Sequence, residues 1–225
     1  MIIPAIDLMD GKVVQLEQGK TKKLELAEAP VEFAKKFSKL PEVQVVDLDA
    51  AMGGGSNIEL VKEICKVVNA RVGGGIRSTE IAKELMKSGA KKLIIGTRAN
   101  KKFLQELCNA VGKESIIVAI DARRGKIVVE GWRKETQKTP FQMIKELEPY
   151  CSEFFYTCVD REGLMGGTDM ETIKRLKAVS LNRLSVAGGI SSMKEVKELE
   201  ALDIDAVVGM ALYTGKINLG GAKIG

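Results

Sequence analysis

The segment Ile2–Val14, IIPAIDLMDGKVV, returns 114 positions later as Ile116–Val128, IIVAIDARRGKIV, identical at eight of 13 positions. Unrelated segments of that length share about one residue, so the chain carries an internal duplication. The same offset links Val72–Ser78 (VGGGIRS) to Val186–Ser192 (VAGGISS) at five of seven positions. It also links Lys83-Glu84-Leu85 to Lys197-Glu198-Leu199. An offset of about half the 225 residues implies that each half builds the same set of elements.

Outward from the duplicated segment, short β-branched or aliphatic runs recur. They fall at Ile2–Ile6, Val43–Val46, Ala70–Val72, Lys92–Ile95, Ile116–Ile120, Phe154–Thr157, Leu184–Ala187 and Ala206–Val208. Stretches of helical period lie between most of them, such as Val31-x-x-Ala34-x-x-Phe37, Leu60-Val61-x-x-Ile64 and Ile81-x-x-x-Leu85-Met86. Thr168-Asp169 and Ser191-Ser192 supply cap residues ahead of helices at Met170–Lys177 and Met193–Leu199. Nearly continuous apolar strands alternating with helices predict a parallel sheet covered on both faces. Eight such units predict an α/β fold of the (β/α)8 TIM-barrel class, near the compact end of its size range. The expected organisation is one domain over residues 1–225, with pseudo-twofold half-barrels at about 1–114 and 115–225. The last helix should be curtailed, because Tyr213–Gly225 is short and Gly-rich. Two loops stand out, Met52–Ser56 and Ala122–Thr139; the second, with Lys126–Val129 and Trp132, reads as a small hairpin beyond the fifth strand.

In an eight-stranded barrel, strands four apart face each other. Asp7 ends the first strand and Asp121 the fifth, so two carboxylates should oppose across the C-terminal mouth, where barrel active sites sit. The Gly-rich turns at Gly75 and Gly189 also oppose, and each is followed by a second glycine site, Gly96-Thr97 and Gly209-Met210. Such glycines let backbone approach a ligand and free N–H groups to point at anionic oxygens beside a helix start. Two matched pockets suit a ligand with a phosphate at each end and its centre between the carboxylates. Read structurally, the same glycines are tight turns and the same aspartates are caps; duplication weakens that reading without removing it. No Walker loop and no G-x-G-x-x-G run occurs, so nucleotide cofactors are not indicated.

Composition narrows the chemistry. The chain has no histidine, which excludes imidazole acid–base catalysis, His-dependent triads and histidine metal ligands. Proton transfer must then fall to carboxylates, Lys, Cys, Tyr or water. Lys+Arg total 35 and Asp+Glu 30, a net charge of +5 without any dense basic block, so nucleic acid is not an expected partner. Cys65, Cys108, Cys151 and Cys158 form no C-x-x-C pair and read as reduced thiols. The start MIIPAID has no basic leader and no apolar run reaches spanning length, so a cytoplasmic protein away from membranes is expected.

The motifs together resemble one family. Ile3–Leu16 (IPAIDLMDGKVVQL), Val46–Asn57 (VDLDAAMGGGSN), Val72–Ser78, Leu93–Ala99 (LIIGTRA), Ala119–Trp132 (AIDARRGKIVVEGW), Val186–Ser192 and Val207–Lys216 (VVGMALYTGK) occur in order. This series resembles the phosphoribosylformimino-aminoimidazole carboxamide ribotide isomerases of histidine biosynthesis over essentially the whole chain. The resemblance implies a cofactor-free, metal-free Amadori rearrangement of an aminoaldose bisphosphate to an aminoketose. It casts Asp7 as general base, Asp121 as general acid and Thr157 as a supporting group. It places Asp49, Gly75, Arg77, Gly96, Thr97, Trp132, Gly167, Gly189, Gly209 and Met210 around the substrate, with Trp132 closing over the imidazole carboxamide. A monomer acting on a small bisphosphate is the expected form.

Three positions depart from the family pattern. Glu162 stands where an Asp is common, Glu130 precedes Trp132 by two where relatives often carry Arg, and Gln15 replaces a usual first-loop Arg. Lack of that Arg near Trp132 argues against action on phosphoribosylanthranilate, whose carboxylate wants such a partner. A related cyclase, the partner of a glutaminase in imidazole glycerol phosphate synthase, usually begins Cys-Leu-Asp where this chain reads Ala5-Ile6-Asp7. Phosphoribosylanthranilate isomerases typically use Cys at the position of Asp7. A non-catalytic phosphosugar-binding barrel is the reading from another class, and tolerance of Asp7→Asn would mark it.

Overall fold

The structure is a computed structural model that describes residues 1–18 and 21–219. In chain order its strands are β1 (Ile2–Met9), β2 (Lys12–Glu17), β3 (Thr21–Glu25), β4 (Val43–Asp47), β5 (Ala70–Gly73), β6 (Lys92–Ile95), β7 (Ile116–Arg123), β8 (Lys126–Val129), β9 (Lys134–Glu135), β10 (Glu153–Cys158), β11 (Arg183–Ala187) and β12 (Asp205–Val208). The helices are α1 (Pro30–Lys35), α2 (Leu48–Met52), α3 (Ile58–Cys65), α4 (Thr79–Lys87), α5 (Lys101–Val111), α6 (Pro140–Leu147), α7 (Met170–Val179), α8 (Met193–Glu200) and α9 (Met210–Tyr213).

Eight of the strands form the barrel. β1 pairs in parallel with β4 on one side and β12 on the other, and the parallel run β4-β5-β6-β7-β10-β11-β12 closes the ring. β1 and β7 are therefore four strands apart, and the duplicated segments face each other as the repeat requires.

Alternation explains why the strands read as apolar on both faces. Ile3, Ala5, Ile117, Phe155, Ala187 and Val207 point inward and pack as one small cluster. Ile6, Leu8, Ile116, Val118 and Ile120 point outward into the larger layer under the helices. Asp7 and Asp121 share the inward phase, one step above Ala5 and Ala119. The helices bury one stripe each: α4 buries Ala82 and Leu85, and α5 buries Phe103, Leu104 and Leu107. Each such leucine contributes about 2 kcal/mol by leaving water. Ser78, Asn100 and Ser192 cap their helices, and Thr139 with Gln142 forms a capping box on α6.

Both halves carry an antiparallel hairpin at the mouth. The expected one is β8, paired with β7 through Ala122–Ile127 and with β9. The first half has a longer counterpart, absent from the strand reading: β2 pairs β1 through Asp7–Val14, and β3 pairs β2. Its turn is Asp10-Gly11, with φ of 52° and 73°, matched by Arg124-Gly125 at 48° and 73°. Two successive positive φ values suit a two-residue hairpin turn, and Asp-Gly is its common sequence. The segment Val31–Phe37 is helical only to Lys35, though Phe37 remains buried. Among the described residues only the single turn α9 follows β12, and residues 220–225 of the short tail lie outside them.

At the opposite end the barrel floor is charged. Arg71 donates to Glu153 at 2.6 Å and to the Ser185 hydroxyl at 2.8 Å. Ser185 donates to Glu153 at 2.6 Å, and Lys92 reaches its other oxygen at 3.1 Å. Arg71, Glu153 and Ser185 are almost wholly buried. Burial pushes the Glu153 carboxyl up, but Arg71, Ser185, Lys92 and Arg183 outweigh it and hold the group below its ordinary value.

Candidate active site

A cavity opens at the C-terminal ends of the barrel strands. Asp7, Asp121, Thr157 and Glu162 line it, together with the Gly74-Gly75 and Gly188-Gly189 turns. The two aspartates are thus brought into one chamber from opposite strands. Burial raises the Asp7 carboxyl to about 7. The nearest polar group, the Gln15 amide nitrogen, stands 3.4 Å from its Oδ2, long for a hydrogen bond. Burial raises Asp121 too, while the neighbouring Thr157 and Trp132 side chains pull the other way.

Glu162 makes a third carboxyl. Burial pushes it to about 8, and the charges of Asp7 and Asp121 add to the rise. Three interacting acids without a cation beside them share protons as a set, so their apparent pKa values belong to the group. Gln15 and Tyr213 sit behind Asp7. Gln15 is buried, and a side chain at Gly209 would lie 2.5 Å from its Oε1. Tyr213 donates to the Ala5 carbonyl at 2.7 Å, and burial raises its hydroxyl well above the ordinary value. Nothing in the sequence pattern singled out Tyr213, since a lone Tyr after a Gly-rich turn carries no spacing signal.

The glycine turns divide by what requires them. Gly74 and Gly188 have φ of 95° and 99°, and an added Cβ would lie 2.1 Å and 2.5 Å from the carbonyl oxygens of Asp47 and Cys158. Packing against the preceding strand end demands glycine there, with or without a ligand. Gly96 is different: a Cβ on it meets nothing within 4 Å, yet the residue lines the cavity. Its missing side chain leaves room that the protein itself does not fill.

The remaining candidates are placed as follows. Thr97, Trp132, Gly189, Gly209 and Met210 line the cavity. Thr97 is also tied to the hairpin, its hydroxyl accepting from the Glu130 N–H at 2.8 Å. Arg77 lines the cavity but donates to the Ala50 and Ala51 carbonyls at 3.1 and 3.5 Å, so its guanidinium braces α2. Asp49 lies outside the lining; it accepts from the Asp10 N–H at 2.7 Å and the Asn57 amide at 2.8 Å and orders the mouth. Gly167 also lies outside, its N–H donating to the Gly189 carbonyl at 2.9 Å. Glu130 is exposed and does not line the cavity. The four cysteines are free thiols, as expected.

A parallel (β/α)8 barrel with paired acids and duplicated glycine turns at its mouth defines a class of small-molecule enzyme. Residues 1–218 match the family model described as histidine biosynthesis protein, and the chain belongs to that family. It is 42% identical to a protein of Methanocaldococcus jannaschii over 97% of this chain and 96% of the relative. It is 40% identical to one of Aquifex aeolicus (97% and 95%) and 37% identical to one of Archaeoglobus fulgidus (96% and 93%). All three relatives bear the name 1-(5-phosphoribosyl)-5-((5-phosphoribosylamino)methylideneamino) imidazole-4-carboxamide isomerase. No helix among the described residues is long and apolar enough to cross a membrane.

Proposed function

We propose that this chain catalyses the Amadori rearrangement named for its relatives, converting the aminoaldose ribotide to its aminoketose. The observation that carries the reading is the pair Asp7 and Asp121, projected from opposite strands into one cavity between two glycine turns. Asp121 protonates the ribose ring oxygen, the C1–O bond breaks, and the nitrogen lone pair completes an imine-like cation. Asp7 then removes the C2 proton, giving an enolamine that tautomerises to the ketose. A base poised near neutrality combines enough ionised fraction with enough basicity, and burial moves Asp7 to about 7. Asp121 has to be protonated to act, and burial raises its carboxyl in that direction. Thr157 orients that acid. Gly75, Gly96 and Thr97 serve one phosphate and Gly189, Gly209 and Met210 the other.

The working form in this reading is a cytoplasmic monomer, one barrel domain of two half-barrels. The test is a spectroscopic assay with the aminoaldose ribotide, run beside phosphoribosylanthranilate. Conversion of the first alone is expected. No turnover of either substrate overturns the isomerase reading, and turnover of both overturns the inferred selectivity.

A further inference from the structure

Each glycine turn is tied to the βα loop before it, and the two halves make the tie with opposite charges. In the first half Arg77 donates to the Ala50 and Ala51 carbonyls at 3.1 and 3.5 Å. At the 114-residue offset Arg77 becomes Ser191, and the second half uses Glu195 instead, where the first has Ile81. The Glu195 Oε2 accepts from the Ser191 N–H at 3.0 Å, the Ser191 hydroxyl at 2.9 Å and the Ser192 hydroxyl at 3.1 Å. Its Oε1 leaves the helix and accepts from the Thr168 N–H at 2.9 Å, 27 positions back in the loop after β10.

Capping the helix does not require this reach. Ser192 caps α8 through the Glu195 N–H as Ser78 caps α4 through the Ile81 N–H, both at 3.3 Å. The first half therefore has the same cap with an apolar residue in place of the acid. A capping-box acid turns back to the N–H of the cap residue itself. Glu195 bonds the residue before the cap and a separate loop.

The segments it joins are in backbone contact. The Gly167 N–H donates to the Gly189 carbonyl at 2.9 Å, and Arg161 donates to the Gly167 carbonyl at 3.0 Å. A Cβ on Gly189 would lie 2.4 Å from the Gly167 oxygen, and one on Gly167 would lie 3.3 Å from the Glu195 Oε1. Gly188, Gly189 and Ile190, on this seam, line the cavity, whereas Glu195 does not. Burial pushes the Glu195 carboxyl up, but the Ser191 and Thr168 N–H groups and the two serine hydroxyls hold it below its ordinary value. It stays an anion, and hydrogen bonds to an anion are the stronger kind.

We infer that Glu195 is a positioning residue for the second phosphate pocket: by tying Thr168 to Ser191 it fixes the 188–190 wall against which a phosphate rests. The inference rests on the reading that Gly189, Gly209 and Met210 serve one phosphate of the substrate. Glu195 acts through the backbone it holds and does not touch the ligand.

The experiment compares wild type, Glu195→Ala and Glu195→Gln by three readouts: the melting temperature, a calorimetric titration with inorganic phosphate, and KM and kcat for the aminoaldose ribotide. Wild type should bind two phosphates, one per pocket. Glu195→Ala should weaken one of these sites about tenfold, leave the other unmoved, and raise KM about tenfold with kcat within about twofold, the split expected when uniform binding is lost. Glu195→Gln, which keeps one acceptor oxygen, should fall between, and it carries the test alone should Glu195→Ala not fold. A lower melting temperature with phosphate binding and KM unmoved would make Glu195 a helix cap only and overturn the inference. Equal weakening of both sites would overturn it too, as general loosening. So would tighter phosphate binding by Glu195→Ala, because the carboxylate would then occupy the place of the anion. No phosphate binding by wild type would overturn the pocket reading and the inference with it. The phosphate titration decides the role of Glu195 without turnover, so a failed isomerase assay is seen separately.

Discussion

At the floor of the barrel Glu153 is fully enclosed, with Arg71, Ser185 and Lys92 all within 3.1 Å of its oxygens. At the mouth, Asp7, Asp121 and Glu162 are half-buried, with no cation paired to them among the described residues. Burial acts in the same direction at both ends, yet Glu153 ends below its ordinary value while the three mouth acids end above theirs. The difference is pairing. A paired floor closes the barrel and stays ionised. At the unpaired mouth, Asp7 and Glu162 keep protons exchangeable near neutral pH, which is the condition for acid–base work.

The largest effect should come from the mouth. Asp7→Asn and Asp121→Asn should each lower kcat by about 10³-fold or more while far-UV circular dichroism stays native. Near-normal turnover of either variant would take that residue out of the mechanism.

At the floor the sign of the comparison reverses. Glu153→Ala strands Arg71 in the interior and should cost about 3–5 kcal/mol in urea unfolding, with kcat/KM of the folded fraction kept. A loss under about 1 kcal/mol would mean that the floor pair is not holding the barrel.

Stability against pH separates the two ends further. The folded pKa of Asp7, about 7, lies above its ordinary 3.8, so the folded state binds the extra proton between those values. That contribution is full below about pH 4 and is lost as pH rises through 7. Asn cannot ionise, so the stability advantage of Asp7→Asn over wild type should grow by about 1–3 kcal/mol between pH 5 and pH 8. Thermal unfolding at both pH values measures it, and a constant difference would contradict the unpaired burial of Asp7.

The smallest effect belongs to Gly96. With open space around its Cα, Gly96→Ala should leave stability within about 0.5 kcal/mol and raise KM about tenfold, if its emptiness serves substrate. Gly74→Ala, by contrast, should fail to fold normally, because its Cβ would strike the Asp47 carbonyl.

Much of the fold was legible because the repeat and the apolar runs are local signals, and inward alternation follows from strand geometry. The β1–β2 hairpin was legible as well, in Asp10-Gly11, although the strand pattern alone passed over it. The site was legible as far as types and opposition: two aspartates and two glycine turns, by register. What each candidate touches was not. Arg77 and Asp49 look like ligand groups in sequence, and their bonds to Ala50, Asp10 and Asn57 depend on neighbours far along the chain. Arg71 sits in a stretch that reads as an apolar strand, and its partner Glu153 lies 82 residues away.

By itself, then, the sequence determined the barrel, its twofold plan, the absence of imidazole chemistry and the identity of the two opposed acids. Those follow from period, repetition and composition, which are properties of the chain. Tertiary structure alone decided which buried carboxyls are paired and which are left to titrate. It also decided which glycines packing demands and which stand in open space. A pKa or a steric fit is set by what surrounds a group in space, and that neighbourhood comes into being only when distant segments meet.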